Sequence, residues 1–119
     1  MDTRIDLDLA AARLEDRVDT WRQAGLDVGP VTWRDQGAGW PPVIRTDRAD
    51  VRDADSIGVE LRKGLQEASL VLFRGGWADL TYWSGWGSDD VVDEAPGWDD
   101  SLDIDAFEAL LDRVTALFT

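Results

Sequence analysis

Carboxylates and tryptophans dominate the side chains with which this chain could do chemistry. It holds 25 acidic residues against 12 basic ones, together with 7 tryptophans, and it has neither histidine nor cysteine. The commonest general base and transition-metal ligand is therefore missing. No Ser-His or Cys-His nucleophile system can be assembled, and no disulfide framework exists. What remains is carboxylates, hydroxyls, Lys63 and Tyr82. Paired carboxylates can hydrolyse glycosidic bonds when they are held across a cleft. With 25 acids, however, pairs are unavoidable, and 119 residues leave little room for a deep cleft. The segment Asp99-Asp100-Ser101-Leu102-Asp103-Ile104-Asp105 lacks the central glycine and terminal glutamate of a calcium-binding EF-hand loop. The chain is read as non-enzymatic, with no metal and no cofactor, and a small carboxylate-dependent enzyme is kept as an alternative.

The acids are unevenly placed. Residues 1–74 hold 14 acids and 11 bases, a net of −3, whereas residues 75–119 hold 11 acids and only Arg113, a net of −10. Salt adaptation, to which an arginine-over-lysine and aspartate-over-glutamate bias is also suited, should spread charge over the whole surface. Concentration in one half points instead to a local electrostatic role. A net charge of −13 repels phosphate backbones and anionic membranes. It favours a basic protein partner, attracted by a field that weakens as salt rises.

The stretch from Trp77 to Asp105 combines the two features. Trp86 and Trp98 bracket a run that reads as an extended loop from Ser84 to Asp100, broken by Gly85, Gly87, Pro96 and Gly97 and bearing Asp89, Asp90, Asp93, Glu94, Asp99 and Asp100. Tryptophan anchors ringed by acids suit a binding hot spot for a basic partner.

Around this stretch the elements are legible. Leu7, Ala10, Leu14, Val18 and Trp21 form one stripe at helical spacing, with Asp6 or Asp8 as cap and Gly25 as terminator. Val31 to Trp33 and Val43 to Thr46 read as short strands, and 47–55 as a solvated loop or short helical turn. Ile57, Val59 and Leu61 alternate with polar residues, a strand pattern. A turn at Lys63-Gly64-Leu65-Gln66, a strand Ser69–Arg74, a two-residue turn Gly75-Gly76 and a strand Trp77–Trp83 complete a meander. Counting register from those turns puts Ile57, Val59, Leu61, Leu70, Leu72, Trp77 and Trp83 on a core face. The other face then carries Val71, Phe73, Leu80 and Tyr82, so Phe73 and Tyr82 can assist the loop in partner binding. The same count leaves Asp79 opposite Leu72 on the apolar face, where a lone carboxylate is costly. Ile104, Phe107, Leu110, Leu111, Val114, Leu117 and Phe118 define a last helix capped by Ser101 or Asp103. The expected fold is a single α+β domain spanning 1–119: an N-terminal helix, an antiparallel meander of three to five strands, and a C-terminal helix packed on one face. The N-terminus lacks the order of a signal peptide, and a cytoplasmic location is expected.

In the segments Ile57-Gly58-Val59-Glu60-Leu61-Arg62 and Val71-Leu72-Phe73-Arg74-Gly75-Gly76-Trp77-Ala78-Asp79-Leu80, the chain resembles immunity proteins of bacterial polymorphic toxin systems. In general plan it looks like those called TriTu-like, which oppose an ADP-ribosyltransferase toxin. The resemblance covers about half the chain and leaves the Ser84–Asp100 loop unmatched. It implies a non-enzymatic cytoplasmic inhibitor that masks the active site of a cognate toxin. A DNA-mimicking inhibitor of a nucleic-acid enzyme, with carboxylates standing in for phosphates, is the other binding reading.

Overall fold

The computed structural model describes residues 4–36, 43–85 and 91–118. The chain runs through helix α1 (Leu7–Gln23), strands β1 (Asp27–Val28), β2 (Thr32–Asp35) and β3 (Ile44–Arg45), a 3-10 turn at Arg48–Asp50, strands β4 (Ala54–Lys63), β5 (Gln66–Phe73), β6 (Trp77–Trp83) and β7 (Val91–Glu94), and helix α2 (Ile104–Leu117). The architecture is α+β, with both helices on one side of an open antiparallel sheet. The sheet has seven strands ordered β3-β2-β4-β5-β6-β7, and β1 also pairs with β4. It is thus wider than a meander of three to five strands. The additions not anticipated are β1, beside the C-terminal part of β4, and β7, which lies inside the stretch read as an irregular loop.

Each helix forms where its stripe can be buried. Asp6 caps α1 by accepting from the N–H groups of Asp8 and Leu9, and Gly25 follows its end with φ of +89°. Leu7, Ala10, Ala11, Leu14, Val18 and Trp21 face inward. Asp103 caps α2 through the Ala106 N–H, and Phe107, Leu110, Leu111 and Val114 are buried. Trp21 is completely enclosed and donates its indole N–H to the Thr115 hydroxyl at 2.7 Å, which locks the two helices together without leaving a polar atom unmatched. From the sheet, Ile57, Val59, Leu61, Leu70, Leu72, Ala78 and Leu80 enter the same core.

The β4–β5 register agrees with the sequence count: Leu61 faces Ala68, Val59 faces Leu70 and Ile57 faces Leu72. The β5–β6 register differs from it by one residue. Phe73 pairs with Trp77, Leu72 with Ala78, Val71 with Asp79 and Leu70 with Leu80. The connection is three residues long, Arg74-Gly75-Gly76. The Gly76 N–H donates to the Phe73 carbonyl at 3.0 Å, and Gly76 takes φ of +88°. This is a type I turn closed by a left-handed residue, the usual form of a three-residue hairpin. One residue of shift reverses every side chain of β6. Ala78 and Leu80 turn inward, Tyr82 packs edge-on against Phe118, and Trp77, Asp79, Thr81 and Trp83 turn outward. Trp77 and Trp83 are therefore not core residues, and Leu80 and Tyr82 do not belong to the outer face. Asp79 is exposed and opposes Val71 rather than Leu72, so its carboxylate is not buried on the apolar face.

The segment between β7 and α2 folds back over this hairpin. The Ala78 N–H donates to the Pro96 carbonyl at 2.9 Å, and the Leu102 N–H to the Gly76 carbonyl at 2.6 Å. Gly97, at φ of +86°, sits so close that a Cβ there would run into the Gly76 carbonyl oxygen and the Leu102 side chain. Gly64, at φ of +61° in the β4–β5 turn, has nothing within 4 Å of the same position. Replacing Gly64 with alanine should cost about 1–2 kcal/mol, the penalty of left-handed backbone alone. The Gly97→Ala change adds overpacking against backbone and should cost roughly 3 kcal/mol or more. Urea unfolding of the two variants checks the difference, and equal midpoints would contradict the close approach.

Candidate functional site

Among the described residues no helix covers the outer face of the sheet. Along β6 the outward residues are Trp77, Asp79, Thr81 and Trp83, a row spanning roughly 20 Å at strand rise. At one end Trp77 stacks on its cross-strand partner Phe73, with ring centroids 4.3 Å apart and planes inclined by 17°. Trp98 stands edge-on to Trp77 at 4.9 Å and is 67% exposed. Such ring pairs contribute about 0.5–1.5 kcal/mol beyond burial. Their placement follows from the turn that holds Gly97 against the hairpin, because Trp98 is the next residue and its N–H donates to the Ala95 carbonyl. The result is a three-ring ledge on a fixed backbone.

At the other end lies a shallow trough of about 630 Å³, whose walls include Asp27, Glu60, Glu67, Thr81, Trp83 and Val91. Trp83 is 44% exposed there. Arg62, also in the trough, is paired with Glu67 at 2.9 Å. Between ledge and trough lie Val71, Asp79 and, from β7, Asp93, which opposes Thr81.

The acids of β6, β7 and the turn that follows β7 fall into two groups. Glu94 accepts from Arg113 of α2 at 2.8 and 2.9 Å, which ties edge strand β7 to the helix layer. That hydrogen bond holds the Glu94 carboxyl below the ordinary glutamate range, against a smaller opposing effect of burial. Asp79, Asp93, Asp99 and Asp100 are exposed and have no cationic partner among the described residues. Among those residues no three acids converge closely enough to hold a metal ion.

Of the residues singled out in the sequence, Phe73, Asp79, Asp93 and Trp98 share the outer face or its rim, and Asp99 and Asp100 follow Trp98 in the same turn segment. Tyr82 is drawn to the helix side, its hydroxyl donating to Gln66 at 3.1 Å, and Glu94 is occupied by Arg113. Trp86, Asp89 and Asp90 lie outside the described residues. The sequence reading missed Trp77 and Trp83 as outer-face residues. The misplaced Asp79 carboxylate was the signal that could have found them, since shifting the register by one residue removes it and turns both rings outward.

The Glu94–Arg113 pair gives a pH test. A carboxyl whose folded pKa is depressed adds stability that is complete above its unfolded value and is lost as pH falls through the lowered folded value. Side-chain carboxyl NMR titration should find Glu94 protonating at lower pH than an ordinary glutamate, and Arg113→Ala should return it upward; an unchanged midpoint would refute the pairing. Among the described residues no helix is long and apolar enough to cross a membrane. Comparison with protein-family models, curated proteins and solved structures finds no match to this chain.

Proposed function

We propose that this protein is a non-enzymatic binding inhibitor that docks the outer face of its sheet onto a basic protein surface, the partner being a cognate bacterial toxin domain whose active site it masks. The observation that carries this reading is the uncovered face itself. It presents the Phe73–Trp77–Trp98 ledge and Trp83 on hydrogen-bonded strand and turn backbone, beside aspartates with no cationic partner among the described residues. Charge complementarity selects the partner. Residues 75–119 carry a net of −10 with Arg113 as their only base, and Arg113 is already engaged by Glu94.

The two components have different tasks. Exposed carboxylates attract a basic partner from a distance and chiefly raise the association rate. Aromatic rings on fixed backbone exclude water at the contact and slow dissociation. The trough has the size and lining for a lysine or arginine side chain of the partner, with Trp83 offering a ring face and Glu60 and Asp27 the countercharge.

The test takes the product of the gene adjacent to the one for this chain as the candidate toxin domain. Coexpression should rescue growth of a bacterial host from that toxin, and Trp77→Ala/Trp98→Ala should abolish rescue while circular dichroism shows an intact fold. With purified components, Trp98→Ala should weaken binding by about 2 kcal/mol through faster dissociation. Asp79→Asn/Asp93→Asn/Asp99→Asn/Asp100→Asn should slow association and flatten its salt dependence. Absence of rescue would overturn the immunity reading. Affinity and salt slope unchanged in both variants would overturn the outer face as the contact.

A further inference from the structure

Four of the twelve bases converge on one cleft in the less acidic part of the chain. Arg4 and the start of α1 form one wall, Arg48, Arg52 and Asp53 a second, and Arg74 of the β5–β6 turn a third, around a volume of about 480 Å³. The cleft shares no lining residue with the trough on the outer face.

Three acids also face it, and each is engaged. Asp6 accepts from the Asp8 and Leu9 N–H groups at 3.0 and 3.2 Å. Asp8 accepts from Arg48 at 2.8 Å, and Asp53 from Arg74 Nη1 at 2.7 Å. After these pairings the cationic side is not exhausted. Among the described residues the Arg52 guanidinium has no partner and Arg4 reaches only the neutral Ser101 hydroxyl, at 3.2 Å. Arg74 is only 9% exposed, yet its Nε is enclosed with no acceptor. Guanidinium N–H groups removed from water are nearly always matched. An unmatched one, beside two guanidinium groups that have no carboxylate partner among the described residues, is the arrangement an anion would complete.

We infer that this cleft is a binding site for a phosphate group, free or carried as a monoester on a small molecule, held by Arg4, Arg52 and Arg74. The planar guanidinium fork matches the oxygens of a phosphate, and the lining, with four guanidinium groups against three carboxylates, keeps a net positive charge for an anion. The chain's overall negative charge does not prevent this, because at physiological ionic strength fields are screened beyond about 8 Å. The site is separate from the proposed partner face and does not depend on it.

The test is a 1H–15N NMR titration of the full chain with sodium phosphate, and in parallel with phenyl phosphate, against sodium chloride at equal ionic strength. Saturable shifts of the Arg74 and Arg52 Nε–H signals and of the amides from Arg4 to Asp8 are expected with at least one phosphate and not with chloride. Tighter binding of phenyl phosphate would identify a monoester as the ligand. Arg4→Ala/Arg52→Ala, which removes two exposed side chains and leaves the buried Arg74 in place, should weaken binding by about tenfold or more. Equal shifts with chloride, no shift with either phosphate, or undiminished affinity in the double variant would overturn the proposal.

Discussion

Gly76 adopts φ of +88°, a conformation costly for any residue with a side chain, and it makes the β5–β6 connection three residues long. Because side chains alternate along a strand, that one angle decides which half of β6 meets the helices. Ala78 and Leu80 are small or compact enough to lie under α1 and α2, where Trp21 and Phe107 already fill the centre. Two indoles directed inward from β6 would compete for that volume. With the register as it stands, Trp77 and Trp83 are free for the outer face, and the core closes on aliphatic residues from the central strands.

The same turn organises the rest of that end of the molecule. Its backbone receives the Arg4 N–H at the Arg74 carbonyl and the Leu102 N–H at the Gly76 carbonyl, so the entry to α1 and the approach to α2 meet on one hairpin. Gly97 is pressed against it, and Trp98 is thereby brought to Trp77. The ledge on one side and the arginine cleft on the other are consequences of a single crowded turn.

How much of this was legible in the sequence depended on whether a local pattern had one geometric solution. Helices α1 and α2 were readable with their caps, since a 3.6-residue stripe of this length fits no other element. The β4–β5 register was readable because Gly64-Leu65 and the flanking alternation agree. Gly75-Gly76 was ambiguous: two glycines suit a two-residue turn as well as the last two positions of a three-residue one. Apolar residues on both faces of β6 could not arbitrate between them, whereas Asp79 could. Strand β7 was hidden because Val91 and Val92 are followed by Asp93 and Glu94, a pattern that reads as loop until an edge strand with one solvated side is available to receive it. The arginine cleft was invisible, as its members are separated by up to 70 positions and meet only through the turn.

The acids resolve in the same way. Asp6 and Asp103 cap helices, Asp105 lies in the first turn of α2, Asp8, Asp53 and Asp55 hold arginines, and Glu94 fastens an edge strand. Those carboxylates are accounted for by folding. Asp79, Asp93, Asp99 and Asp100 are not, and mutual repulsion among unpaired carboxylates opposes the compact state. They sit on or beside the one face that the helices leave bare, next to rings that folding also leaves exposed. Neither property alone separates a binding face from an ordinary solvated one, since lone exposed apolar residues are common and acidic surfaces confer solubility. Their coincidence on hydrogen-bonded strand and turn backbone is harder to attribute to solubility, for which exposed tryptophan is a disadvantage. It is the arrangement in which long-range attraction and short-range burial act at one place.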